Sequence, residues 1–453
     1  MPGLSPKSIL AGRSSNRTPV LLIVGMVLSG ICLLLALALY LFEGGPINVV
    51  VASLLALPTA IVLVALILLI DRLEPEPRGN LILAFSWGAG VAIFVALLLN
   101  TTTHVLLIPA VGEESAEAIT SSVVAPLVEE SGKGLLLLYL LLNRPQEFDG
   151  PTDGIVYAAL SGLGFALVEN VSYYMQGIYN GSVWFVVILR GVIAPLGHPL
   201  YTAMTGLGVA YAATHRGAGR VIAPVLGWCG AVFLHGLWNG SLTIAGFVGG
   251  LLAYGIQFLV IVAVVVVLVR DRKRIVGLIQ TYLPAYIPSG LVHQNDIQML
   301  GTMSGRRQAR RWARGQAGLP GVRAMSDYQL AATELALLHA HAARRTVSPQ
   351  QFHERQQAIL GLMRVARDTF FRRAPQPVAP PWARHEQSGF FTLPAQLQQL
   401  PTLPQSGPQQ APQQPARPPQ QQPMPQQPPR QQFPGAAPPP GQQPPQRGPQ
   451  WPR

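Results

Sequence analysis

The sequence predicts an all-α polytopic membrane protein, a bundle of about eight transmembrane helices with a disordered cytoplasmic C-terminal tail. Of the 453 residues, 49% are hydrophobic and only 11% are charged, a balance unusual for a soluble chain of this length. Residues 1–270 carry repeated apolar stretches near the roughly 20 residues that cross a hydrocarbon core. The polar remainder gathers beyond them. Four regions follow: a cytoplasmic N-terminus over 1–18, a transmembrane region over 19–270, a basic and partly helical cytoplasmic region over 271–374, and a Pro/Gln-rich tail over 375–453.

The apolar runs place spans near 19–42, 47–70, 80–108, 123–142, 154–177, 183–213, 221–243 and 248–270. The first follows Lys7, Arg13 and Arg17 but has no clear cleavage site, so it is expected to be a retained anchor. The third and sixth are long. In the sixth, Pro195, Gly197 and Pro199 bracket His198, and such residues break or kink a helix. Lys and Arg recur in alternate loops: Arg72 and Arg78, then Arg144, Arg216 and Arg220, and Arg270, Arg272, Lys273 and Arg274. That side is expected to be cytoplasmic, with both termini on it. The other loops, including acidic Glu113, Glu114 and Glu117, hold almost no Lys or Arg. Cys32 and Cys229 both fall in predicted spans, which gives no disulfide framework and no thiolate metal site. They read as small packing residues.

After Arg274 the apolar runs cease. Arg306, Arg307, Arg310, Arg311 and Arg314 are spaced so that several share a helix face, which suits anionic lipid headgroups. The stretch 325–373 reads as moderately amphipathic helix, broken near Pro349. From about 375, Pro and Gln dominate, and such a segment cannot bury enough apolar surface to order itself. It could offer polyproline ligands to a cytoplasmic partner. The net charge of +12 raises nucleic acid as a partner, but the cations sit in juxtamembrane and tail segments without interleaved aromatics or a binding module. No nucleic acid is expected.

Ionisable side chains at bilayer depth are costly unless they pair, line a wet cavity or do chemistry. Span four reads Glu129-Glu130-Ser131-Gly132-Lys133, which puts Lys133 within helical reach of both carboxylates. The two glutamates diverge by about 100° around the axis, so one can face a cavity while the other meets Lys133 or a neighbouring helix. One carboxylate with one lysine would read as a packing ion pair; two carboxylates with further polar groups downstream favour chemistry. Span five carries Phe165 and Glu169 on one face, so the ring could shield the carboxyl, and Gly162 and Gly164 allow close helix approach. An interhelical hydrogen bond would explain Glu169 equally well. In span six, His198 can shuttle a proton, and Arg190 reads as a counter-charge to one of the glutamates. In span seven, His235 and Asn239 stack on one face and can both donate to a developing oxyanion. They could also simply hold span seven to span six. Counted along straight helices, Glu129, Glu130, Glu169 and His235 converge on one level in the outer half of the bilayer. His198 lies deeper and needs the Pro/Gly break to join them.

These motifs resemble the PrsW family of intramembrane proteases: EExxK at Glu129 to Lys133, FxxxE at Phe165 to Glu169, His198, and HxxxN at His235 to Asn239. The Asp71-Arg72-Leu73-Glu74-Pro75-Glu76-Pro77 loop is similar to the family's EPEP segment. The resemblance covers roughly residues 60–245. The wider group includes the CAAX prenyl proteases, whose second motif ends in histidine; here it ends in Glu169, and His198 could take that place. Resemblance implies a glutamic-type intramembrane endopeptidase without an essential metal or other cofactor. It also implies a single-pass membrane substrate such as an anti-sigma factor, cleaved in a first, site-1 type step.

On this reading Glu129 or Glu130 is the general base on a water, assisted by His198 or Glu169. His235 and Asn239 hold the oxyanion, and Lys133, Arg190 and Phe165 support the set. Three rivals use the same residues. Three carboxylates and two histidines could ligate a metal, although no HExxH occurs. A proton-coupled transporter could use them as a relay, and would be expected to show internal repeats. A non-catalytic membrane scaffold would keep its function after neutral substitutions.

Overall fold

Gly45, at φ 73°, stands where the first helix reverses, a backbone angle that favours glycine. In the computed structural model, which describes residues 20–73 and 75–374, this helix, α1, runs Val20–Ile70. Leu22 of its first limb shares an apolar cluster with Leu63 and Ile67 of its second, and Tyr40 shares the next with Val49 and Ala52. The limbs are therefore antiparallel. The expectations for 1–18, Glu74 and 375–453 lie outside the described residues.

Helix α2 (Arg78–Val111) passes through a π turn at Gly88–Ala92. Helix α3 (Glu113–Ile119) leads through a second, Thr120–Val124, into α4 (Ala125–Asn143). Helix α5 (Pro151–Tyr179) is the most enclosed. Helix α6 (Val183–Ile188) ends in a third π turn, Leu189–Ile193, before α7 (Gly197–Thr214). Helix α8 (Gly219–Tyr282) bends at Ala245 and Gly246, and α9 (Gln294–Leu300), α10 (Met303–Ala343) and α11 (Pro349–Arg373) complete the described chain.

The described residues are helical, without a strand. Five helices are long and apolar enough to cross a membrane: Val20–Ile70, Arg78–Val111, Pro151–Tyr179, Val183–Thr214 and Gly219–Ser289. Eight separate spans are not seen in that count. Two of the five are merged pairs of expected spans joined across the bends at Gly45 and Ala245–Gly246. Helix α4 stands outside the five, with Glu129, Glu130 and Lys133 in its first half.

Close backbone contact sets α5 against its neighbours. A Cβ at Gly164 would lie 2.0 Å from the Phe85 carbonyl oxygen, and one at Gly162 would lie 2.5 Å from that of His198. Small residues allow this approach where apolar burial gives no driving force between helices. Gly164→Ala should push α2 away from α5 and cost roughly 1–3 kcal/mol. The readout is a lower unfolding temperature in detergent, and an unchanged temperature would contradict the approach. Cys32 and Cys229 are both free; Cys32 is buried as expected, whereas Cys229 is exposed.

The region after residue 270 is more ordered than its composition suggests. The end of α8 joins α9, α10 and α11 around a core of Ile279, Leu300, Met325, Tyr328, Leu335 and Phe370. Arg306, expected among lipid-facing cations, is instead buried; it donates to Leu300 O (2.9 Å), Leu73 O (3.2 Å) and Thr333 Oγ1 (2.9 Å). Arg307, Arg311 and Arg314 remain exposed.

Burial pushes the Glu334 carboxyl up to about 8; Asp149 adds to the rise, Arg355 opposes it and Glu147 adds a little more. Its folded value lies above the ordinary 4.5, so its contribution to stability is full below about 4.5 and is lost as pH rises through about 8. The unfolding temperature of the purified protein should fall across that window, by an amount worth a few kcal/mol. Glu334→Gln should flatten the fall; an equal slope in both proteins would assign it elsewhere.

Candidate active site

Two of the three π turns, Thr120–Val124 and Leu189–Ile193, contribute to the lining of one cavity of about 480 Å³. Such turns free carbonyls and re-aim side chains, and here the freed groups find partners, as irregular backbone at membrane depth requires. Asn239 Nδ2 donates to Ser121 O (2.8 Å), Thr59 Oγ1 to Gly191 O (3.0 Å) and Tyr254 OH to Ile193 O (3.0 Å). The chain breaks at Ala194, so His198 falls in the first turn of α7. That break, at Pro195, Gly197 and Pro199, brings His198 level with the carboxylates.

Lys133 is the hub. Its ammonium donates to Glu130 Oε1 (2.8 Å), His198 Nδ1 (2.9 Å) and Glu129 Oε2 (3.4 Å), and lies 3.9 Å from the centre of the Phe165 ring. An ammonium has no lone pair, so His198 Nδ1 accepts and its proton is on Nε2, which donates to Glu169 Oε2 at 2.9 Å. Glu169 also pairs with Arg190. Arg190 Nε reaches Asn170 Oδ1 (2.7 Å), and its guanidinium covers Tyr173 at 3.8 Å. Phe165 thus packs on Lys133 and His198, whereas shielding of Glu169 was the expectation.

The two adjacent glutamates have different surroundings. Glu130 is fully buried and takes Thr202 Oγ1 (2.9 Å), His235 Nδ1 (3.1 Å) and Lys133. Glu129 lines the cavity. Its Oε1 takes only a long contact from Asn100 Nδ2 (3.4 Å), and its Oε2 lies 3.9 Å from His235 Nε2. With Nδ1 turned to Glu130, His235 presents Nε2 towards Glu129 and the cavity. Tyr201 stacks on the His235 ring, with centroids 5.0 Å apart, and is held by Gln257 Nε2 at 2.9 Å.

All the expected site residues gather around this cavity. Asn239 lines it while one amide hydrogen is committed to Ser121. Sequence reading missed Asn100, Asn170 and Gln257. A lone amide inside an apolar run was the available signal for Asn100 and Gln257.

Three carboxylates face two permanent cations, so one added proton or a cation is needed to offset the buried charge. Glu129, His198 and His235 each offer a ligand atom, all within 4.8 Å of one another. Two imidazoles and a carboxylate form a donor set suited to one divalent ion, and Glu130 on His235 Nδ1 supplies the supporting acceptor such ligands use. Glu129 and His235 Nε2 fit a metal as they stand, and His198 would join them only by giving up its Nε2 proton and its bond to Glu169.

Comparison with known proteins gives one family. Residues 76–269 match the model described as PrsW family intramembrane metalloprotease. The chain is 36% identical over 137 residues to Protease PrsW of Clostridioides difficile (strain 630), covering 30% of this chain and 55% of that protein. It is 29% identical over 136 residues to Protease PrsW of Geobacillus kaustophilus (strain HTA426), again 30% and 55%, and 33% identical over 113 residues to that of Oceanobacillus iheyensis, 25% and 49%. The chain thus spans about half the length of the curated relatives it matches. No solved structure matches it.

Proposed function

Because residues 76–269 match the PrsW family model and the chain has five helices long and apolar enough to cross a membrane, we propose that it is an intramembrane endopeptidase that hydrolyses a membrane-anchored protein. The observation that carries this reading is the contrast between Glu129, which lines the cavity with room on its oxygens, and Glu130, whose oxygens are taken by Lys133, Thr202 and His235.

Glu129 takes a proton from a water in the cavity, and that water attacks the scissile carbonyl carbon. The same carboxyl then gives the proton to the departing amide nitrogen, so one group acts as base and then acid. His235, oriented by Glu130, donates from Nε2 to the carbonyl oxygen when protonated, and Asn239 offers its second amide hydrogen. Lys133 and the His198–Glu169–Arg190 chain fix the geometry and balance the charge. A divalent metal, where bound, would be held by Glu129, His198 and His235 and would polarise the carbonyl and the water. The expectation of metal-free chemistry is tested by chelator challenge and elemental analysis of the purified enzyme: unaltered cleavage after chelation supports it, and loss restored by zinc overturns it.

The proposed substrate class is a single-pass protein such as an anti-sigma factor. Orientation follows the same reading: the arginine-rich loops lie in the cytoplasm, and the cavity, with Glu117 and Gln176 on its lining, faces the other side. Membrane proteomes of wild type and the Glu129→Gln/Glu130→Gln variant should differ in one single-pass protein that is no longer shortened. Identical proteomes would remove the protease reading.

A further inference from the structure

A second cavity, of about 940 Å³, shares no lining residue with the first and lies where α1 gives way to α2 and meets α10. One wall is apolar and comes from the membrane helices: Leu68, Ile82 and Phe85. Leu68 and Ile82 are 44% and 55% exposed, which makes this wall continuous with the outer surface of the bundle. The other wall is charged: Arg72, Arg78, Arg306 and Arg310 outnumber Asp71, Glu76 and Asp327 there, and Arg72, Arg78 and Arg310 are the cations not enclosed in the interior. Arg310 donates to Gln329 Oε1 at 2.6 Å.

Asp71, Glu76 and Asp327 line the same cavity, and each of these acids has a hydrogen-bond or ionic partner of its own. Asp71 accepts from the Glu76 amide at 3.1 and 3.2 Å, Glu76 accepts from Tyr157 OH at 2.7 Å, and Asp327 has an interaction of its own. The positive charge is crowded: burial first, then Arg72 and Arg307, hold the Arg310 guanidinium below its usual range. An anion against these cations would relieve their repulsion.

We propose that this cavity binds one anionic glycerophospholipid, its phosphate among Arg72, Arg78 and Arg310 and its acyl chains along the Leu68, Ile82 and Phe85 wall. A free phosphate would use the arginines and leave that wall uncovered, whereas a lipid uses both. Guanidinium groups suit the phosphate because their planar forks match its oxygens. Such a lipid would tie α10 to the membrane helices beside the direct contact from Arg306 to Leu73 O (3.2 Å). The inference does not depend on the proteolytic reading.

The test uses the full chain, purified in neutral detergent and stripped of lipid. Phosphatidylglycerol, phosphatidylcholine and inorganic phosphate are added separately. Binding is followed by native mass spectrometry, and stability by thermal unfolding. Phosphatidylglycerol should bind at least about ten-fold more tightly than phosphatidylcholine, in line with the contribution of each juxtamembrane arginine, and should raise the unfolding temperature. Arg72→Gln/Arg78→Gln, at two exposed positions, should remove the difference while eluting as the wild type does. Arg311→Gln/Arg314→Gln, outside the cavity, should keep it. Equal binding of the two lipids, equal stabilisation by inorganic phosphate, or loss of the preference in the second variant but not the first would overturn the proposal.

Discussion

Glu129→Gln should lower peptide-bond cleavage by about 10²–10⁴-fold, the range for removing a general base, while the protein folds as before. The amide keeps the size of the side chain and can still meet Asn100, whose Nδ2 lies 3.4 Å from Glu129 Oε1, but it cannot take a proton from water. Glu130→Gln is expected to behave differently. That carboxylate is fully buried and accepts from Lys133, His235 and Thr202, so the amide leaves charge-assisted donors short of a partner and costs stability as well as activity. Cleavage of a model substrate in reconstituted membranes, read beside thermal unfolding, separates the two. A Glu129→Gln enzyme that cleaves normally would exclude Glu129 as the base and leave the cavity without its proposed activator.

Lys133→Met should be the most damaging single change to the fold. It removes the donor shared by Glu129, Glu130 and His198 Nδ1, and breaking a buried ion pair from one side costs about 3–5 kcal/mol. The variant is expected to unfold at a much lower temperature or to accumulate poorly in the membrane. Lys133→Arg should rescue little, because a planar guanidinium cannot stand where a compact ammonium meets three acceptors. Adding Glu130→Gln to Lys133→Met should recover part of the loss, since removing both partners costs less than orphaning one. An additive double variant would show that the two side chains do not share their energy. Activity should stay low in all three, because the tautomer of His198 depends on the Lys133 ammonium at its Nδ1.

Much of the site was legible because a charged or strongly polar side chain in an apolar run is rare and costly. Glu129, Glu130, Lys133, Glu169, Arg190, His198, His235 and Asn239 were all found that way, and the Pro195–Pro199 break was readable from residues that cannot continue a helix. Arg190 opposite a glutamate followed from charge balance, and Glu169 is that partner. The C-terminal core was not legible. Ala331, Ala332, Leu335, Ala336 and Leu338 are buried, and so are the polar Gln329, Thr333 and His341 among them, so this segment is enclosed on nearly all sides, which a moderately amphipathic pattern does not announce. Arg306 illustrates the same limit: its spacing matched the exposed Arg307, Arg311 and Arg314, and only packing made it an interior donor.

The sequence by itself determined the helical membrane frame and the set of polar residues sent into it, since both follow from local properties: hydropathy, helix period and helix-breaking residues. Only the tertiary structure decided who pairs with whom. Lys133 and His198 are 65 residues apart, and Glu130 and His235 are 105; whether they meet depends on the rotation, depth and breaks of separate helices. A repeat of 3.6 residues tells which side chains share a face, not which neighbour that face will meet. The choice between the adjacent Glu129 and Glu130 is of that kind. Their turn of about 100° was predictable, but the helices that enclose Glu130 and leave Glu129 to the cavity came from elsewhere in the chain.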